Sequence, residues 1–247
     1  MKKHLMRYGA ACLFLGFLWQ TGSMCLGEFV LPRPWDVLVF LVESLGEPAF
    51  WSHIAASVRR VLLALVLAWC TAFPLGLAMG YGRRLDAVLS PLVFLTYPLP
   101  KIVLLPLFLI LFGLGDLPRV LLIALTVGYQ ILVVTRASAQ ALDQRYIDAF
   151  RTLYGTTAQM VRHVLVPAVL PDAITALRVA SGTAVAVLFM AESFATQEGL
   201  GFLIMDAWGR NDQPEMFTGI LAMSILGVVL YEGCNMLERR CCRWRLA

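Results

Sequence analysis

Charge is scarce in this sequence. Asp, Glu, Lys and Arg make up 15% of its 247 residues, where a soluble chain carries about 25%. That is too little charge to cover a water-facing surface, so an apolar solvent must cover part of it. Histidine is scarcer still, with only His4, His53 and His163 present. Cys241 and Cys242 are adjacent rather than spaced as C-x-x-C, so no zinc ligand set is expected. Cys12, Cys25, Cys70 and Cys234 fall in or beside apolar stretches, where a thiol behaves as a small hydrophobe. Catalytic signatures are missing as well. There is no H-E-x-x-H, no G-x-S-x-G and no G-x-x-x-x-G-K-[ST] loop, and Ser181 and Ser193 lack an evident base. No catalysis, no metal and no bound cofactor are expected of this chain. The formal net charge of +4 is not a nucleic-acid signal. The basic residues gather where apolar runs end, not in a stripe interleaved with aromatics.

Hydrophobic residues are plentiful, at 60%. Apolar runs at Tyr8–Gly27, Ile54–Tyr81, Leu85–Phe112, Leu117–Thr135, Ala173–Phe194 and Met216–Asn235 approach or exceed the roughly 20 residues that cross a bilayer core. Each must be helical, because an open strand would leave backbone amides unsatisfied in lipid. The expected class is therefore all-α, a polytopic membrane bundle with about six transmembrane helices. The first run follows Lys2, Lys3 and Arg7, and we read residues 1–27 as a retained helix, with a cleaved signal peptide as the alternative. Residues 28–53 mix Pro32, Pro34 and Pro48 with acidic residues. Within them, Trp35 to Leu45 repeats apolar residues at three- and four-residue steps, which predicts a helix lying along the membrane surface. Residues 54–247 form the core, interrupted by segments 136–172 and 195–215.

Basic residues set the sidedness. With the N-terminus inside, 14 of the 20 lie on cytoplasmic segments or helix ends, five lie opposite, and Lys101 falls within a span. Arg59 and Arg60 are the weakest part of that pattern, although their long side chains can snorkel. Segment 136–172 is then cytoplasmic. Segment 195–215 is external, with Glu198, Asp206, Asp212 and Glu215 set against Arg210. Both termini are cytoplasmic if the first helix is retained.

The cytoplasmic segment predicts two short helices. Ile147, Phe150, Leu153 and Tyr154 share one helical face; Gly155 permits a change of direction. Thr156 or Thr157 can cap the next turn, and Met160, Val161, Val164 and Leu165 form a second apolar stripe. Pro167 and Pro171 restrict the chain just before the next span. Such an apolar face outside the bilayer packs either on a protein partner or on the chain's own helix ends.

Here the sequence resembles the permease subunits of binding-protein-dependent ABC importers. Their cytoplasmic signature runs E-A-A, three residues, glycine, nine residues, isoleucine, one residue, Leu-Pro. Asp148 takes the glutamate place, Ala149 and Phe150 follow, Val164 takes the isoleucine place, and Val166-Pro167 takes the Leu-Pro place. Tyr154 occupies the glycine place, with Gly155 one residue later. The likeness extends from about Leu31 to Trp244, through Leu31-Pro32-Arg33-Pro34, His53 to Arg60, residues 97–115, Arg178, Ala191-Glu192 and Glu198-Gly199-Leu200-Gly201. It is most similar to the branch handling nitrate, taurine and aliphatic sulfonates.

The resemblance implies an ABC importer permease fold in the bacterial inner membrane, surrounded by lipid. It implies a cytoplasmic ABC ATPase dimer, a second permease subunit of the same sequence and an external substrate-binding protein, with ATP and Mg2+ held by the ATPase. Residues 146–163 would be the ATPase contact. Phe150, Leu153, Tyr154 and Met160 would enter an ATPase cleft and Asp148 and Arg151 would select charges around it. Ala149, Gly155, Val164 and Pro167 complete the coupling set. Lys101, Glu192, Gly199 and Gly201 are candidates for the pathway or its gate, and the cargo would be a small organic or inorganic anion. Lys101 sits among Pro98, Pro100 and Pro106, which remove amide donors and can open the helix into a bend, and it has a second reading as an interfacial or structural pair. Gly182, Thr183 and Ala184 offer a small face for a helix seam. The runner-up function is a transporter without ATP coupling, or a membrane assembly factor.

Overall fold

A computed structural model describes residues 2–152 and 156–245, without the side chains of 2–8, 10–12, 151 and 245. The chain is all helical there. In order come α1 (Lys2–Leu26), α2 (Pro34–Ser44), α3 (Pro48–Tyr81), α4 (Arg83–Thr96), α5 (Leu105–Phe112), α6 (Asp116–Gln140), α7 (Gln144–Thr152), α8 (Thr157–Met160), α9 (Val166–Glu192), α10 (Leu200–Gly209) and α11 (Gln213–Cys241). Among the described residues, four helical stretches are long and apolar enough to cross a membrane: Pro48–Tyr81, Asp116–Gln140, Thr157–Glu192 and Gln213–Cys241. A bent pair, Arg83–Thr96 with Lys101–Phe112, passes the same test when its two limbs are taken together.

That pair shows the stretch expected as one span at 85–112 to be sharply broken. Its two limbs are bent by 88°. Pro98 and Pro100 have no N–H to continue the ladder of α4, and Pro106 suits the first turn of α5. Lys101, in the 3-10 turn Lys101–Leu104, donates to the carbonyls of Thr96 (3.2 Å) and Tyr97 at the end of α4. A second correction concerns segment 195–215, which is not a plain loop, because it contains α10. A third concerns Pro167 and Pro171. Helix passes through both, and a π-helical turn at Val161–Leu165 precedes Pro167 in the first turn of α9. The wider turn changes the bonding register where a proline ring would otherwise meet the preceding carbonyls.

The chain forms two compact units. One comprises residues 1–57 and 192–224. In it α2 falls where the apolar period predicted a surface helix, with Val37 buried and Trp35 71% exposed. Trp19 Nε1 donates to Pro32 O at 3.0 Å, and Thr218 Oγ1 donates to Val37 O at 3.4 Å.

The other unit comprises residues 58–191 and 225–247. In it α3 packs closely on α6. A Cβ at Gly80 would stand 2.4 Å from Ala139 Cβ, and one at Gly76 would stand 2.7 Å from Leu132 O. Only glycine admits that approach, on a small-xxx-small spacing. The small face expected at Gly182 is a different matter, because a Cβ there would meet nothing within 4 Å. Thr183 accepts from Gln130 Nε2 at 3.2 Å, and Ala184 is buried.

Several charges in this unit are held in pairs. Arg60, only 3% exposed, donates to Asp116 at 2.7 Å, and Arg59 meets the other oxygen of that carboxylate. The two arginines that broke the charge pattern therefore share an anion. Arg136 grips Asp86 with two bonds of 2.5 and 2.8 Å, and Arg178 meets Glu238 at 2.8 Å. Arg119, buried at the start of α6, donates to the carbonyls of Leu114 (2.9 Å), Gly115 (2.7 Å) and Ala191 (3.1 Å). The sequence reading assigned Arg119 no such role.

Candidate functional site

Residues 141–165 carry the first candidate site. Asp143 opens α7 by accepting the Arg145 N–H at 2.9 Å. Thr156 caps α8 in a reciprocal box: its hydroxyl accepts from Gln159 N (3.3 Å) and the Gln159 side chain accepts from Thr156 N (2.8 Å). The two apolar stripes then close on one cluster. Ile147, Met160, Leu165 and Val169 are buried with Leu77 of α3 and Ala139 of α6, and Phe150, Val161 and Val164 pack against them. Each such side chain, well buried, contributes roughly 1.5–3 kcal/mol of gross hydrophobic stabilisation.

This placement revises part of the expected contact. Met160 is 2% exposed and half-buried Phe150 packs on the same cluster, so both turn toward the chain's own core. Amphipathic spacing showed a stripe but not what lay against it. The outward positions are Tyr146 (64% exposed), Asp148, Ala149, Ala158, Arg162 and His163. Asp148 accepts from Gln144 at 3.2 Å. Val164 and Pro167 are half-buried. Leu153, Tyr154 and Gly155 lie outside the described residues, as does the side chain of Arg151. Beside α7 an open cleft of ≈ 850 Å³ is lined by Tyr81, Arg83, Asp86, Gln140, Gln144 and Ile147, among others.

A second site lies where α9 ends and α10 begins. Glu192 is fully buried, and its carboxylate accepts the Ser57 hydroxyl (2.7 and 3.0 Å) and the Gly201 N–H (3.0 Å). Ser57 accepts the Leu200 N–H at 2.8 Å, and His53 Nδ1 accepts the Gly199 N–H at 3.2 Å. The three gate candidates Glu192, Gly199 and Gly201, read separately from the sequence, are thus assembled in one place. His53 and Ser57 were missed as members. Their four-residue spacing puts them on one face of α3, but that face has no visible target without the fold. Downstream, Arg210 donates to Glu215 (2.5 Å) and Asp206 (2.9 Å). Those bonds, Glu215 first, raise the guanidinium pKa above its ordinary value.

Lys101 is a member of neither cluster. Beyond the two carbonyls, its ammonium lies 4.4 Å from the Tyr129 ring centre and 5.2 Å from that of Tyr97. Thr96 and Tyr129 join hydroxyls at 2.7 Å beside it.

Residues 72–240 match the family described as binding-protein-dependent transport system inner membrane component. The chain is 31% identical over 242 residues to the taurine transport system permease protein of Escherichia coli K12, covering 96% of this chain and 88% of that protein. It is 27% identical to the formylaminopyrimidine transport permease of Halalkalibacterium halodurans, covering 94% and 93% respectively. Among solved structures it is similar in fold to a chain of the inward-facing MetNI methionine ABC transporter. That match has a TM-score of 0.69 at 18% identity, and covers 79% of this chain and 98% of that one.

Proposed function

The chain belongs to the family of binding-protein-dependent transport system inner membrane components, and on that premise we propose how it acts within its importer. It is a multi-pass permease subunit of an ABC-type importer in the bacterial inner membrane, and it forms part of the transport pathway. The runner-up reading, a transporter without ATP coupling or an assembly factor, gives way to that membership. Catalysis of ATP hydrolysis belongs to a separate subunit.

Residues 146–163 couple the permease to a cytoplasmic ATPase dimer. One observation carries this reading. The loop's inner side is closed by Ile147, Met160 and Leu165 on α3, α6 and α9, while Tyr146, Asp148, Arg162 and His163 remain exposed. A loop braced in this way moves with the helices beneath it, so a push on its outer side reaches them directly. Leu153, Tyr154, Gly155 and Arg151 complete the contact on the strength of the family signature. The cytoplasmic placement of 136–172 follows from the basic residues around it.

Helix α1 is the first membrane helix, and 28–53 an external interfacial segment whose exposed Trp35 and Val42 suit the headgroup boundary. A second copy of the subunit and lipid cover the apolar helix faces, and an external binding protein delivers the cargo. A small anion suits that cargo, supported by the taurine relative and by the positive charge of Lys101 beside Tyr129.

Reconstitution of the permease with its ATPase and binding protein in proteoliposomes tests the coupling. The variant Tyr146→Asp with Arg162→Glu is expected to lose ATPase co-purification and ATP-driven uptake while keeping its melting temperature. Undiminished association would overturn the assigned contact. Uptake sustained by a hydrolysis-dead ATPase would overturn ATP coupling itself.

A further inference from the structure

Gly199, Leu200 and Gly201 carry three consecutive backbone N–H groups at the amino end of α10. Each donates to a side chain: His53 Nδ1 at 3.2 Å, Ser57 Oγ at 2.8 Å and Glu192 Oε2 at 3.0 Å. A helix start with open donors attracts an anion. Here the anion is the chain's own carboxylate, fully buried and held also by the Ser57 hydroxyl. The backbone is moulded to it. Gly199 sits at φ +114°, and a Cβ there would lie 2.4 Å from Glu192 Cδ. Within the same connection Ala195 takes φ +52°, a conformation that side-chain-bearing residues keep only when their surroundings impose it.

We propose that Glu192 is a positioning residue, a built-in anion that clamps the start of α10 to the Pro48–Ser57 end of α3 and keeps residues 193–199 in one shape during transport. The carboxylate does this better than an apolar side chain because it answers directional donors that would otherwise be buried without partners. The clamp stands on geometry alone. Its consequence for transport rests on the importer reading: without the clamp, ATP hydrolysis continues but no longer drives uptake.

The variant Glu192→Ala separates the two claims. In purified, detergent-solubilised permease its melting temperature is expected to fall. Millimolar formate should restore it, whereas formamide, equal in size and uncharged, should not. In proteoliposomes uptake should fall at least about tenfold while ATP hydrolysis persists. Equal responses to formate and formamide would overturn the clamp, as would a Glu192→Gln variant matching the unmodified protein in melting and uptake. Should Glu192→Ala not accumulate, Ser57→Ala keeps the carboxylate and removes its hydroxyl partner. A lowered melting temperature in that variant supports the clamp, and an unchanged one overturns it. Formate rescue in a protein whose uptake ignores ATP would sink the importer reading and leave the clamp standing.

Discussion

The brace under residues 146–163 and the clamp around Glu192 hold short helices by opposite means. In the brace, Ile147, Met160, Leu165 and Val169 bury hydrocarbon against Leu77 and Ala139. That attraction has no direction, so shape and volume matter more than atom identity. In the clamp, one carboxylate and two further side chains answer N–H groups at fixed positions. There the attraction is directional, and each lost partner leaves a buried group unsatisfied. A surface proposed to transmit force can rest on tolerant packing; a connection proposed to keep one shape gains from bonds that accept only one arrangement.

The widest test of this contrast is Met160→Asp. A charge placed in the brace should cost at least about 3 kcal/mol, read as a fall in melting temperature in detergent, whereas Met160→Leu should cost under about 1.5 kcal/mol. If aspartate is tolerated, the brace is no core and the contrast fails. Next comes Gly199→Ala, which adds one methyl to the clamp and is expected to cost about 2–3 kcal/mol by the same measurement. A cheap alanine would mean that the carboxylate and backbone are not closely fitted. Thr156→Ala removes half of the α8 capping box and should cost about 1 kcal/mol, without altering any formate response of a Glu192→Ala background. Smallest in stability is Tyr146→Ala, under about 0.5 kcal/mol, although pull-down should show weakened ATPase association. A larger stability loss there would place Tyr146 in the brace rather than on the docking side.

Much of the fold was legible because its signals are local. Apolar runs of bilayer length marked the spans, the three- and four-residue steps from Trp35 marked α2, and the threonine pair at 156–157 marked the start of α8, which Thr156 caps. The prolines at 98 and 100 announced irregularity in a span, but the 88° bend and the use of Lys101 to close α4 lay beyond them. The candidate sites divided along the same line. Met160 was recognisable as part of a stripe, yet whether that stripe met an ATPase or this chain's own Leu77 was undetermined by spacing. Glu192, Gly199 and Gly201 drew notice as a polar handle and two turn residues. Ser57, which ties them together, lies 135 positions before Glu192.

The sequence by itself determined that this protein lives in a membrane, how its spans and basic ends alternate, and which segment carries the family signature. Those properties depend on composition and on neighbours a few residues apart, where the choice of solvent and the helical period act. Only the tertiary structure decided which way Met160 turns, that Gly76 and Gly80 form the tight seam on α6, and that the amino end of α10 finds its anion in Glu192. Each of these depends on which surfaces meet after long stretches of chain have closed upon one another, and no spacing within a single helix records that encounter.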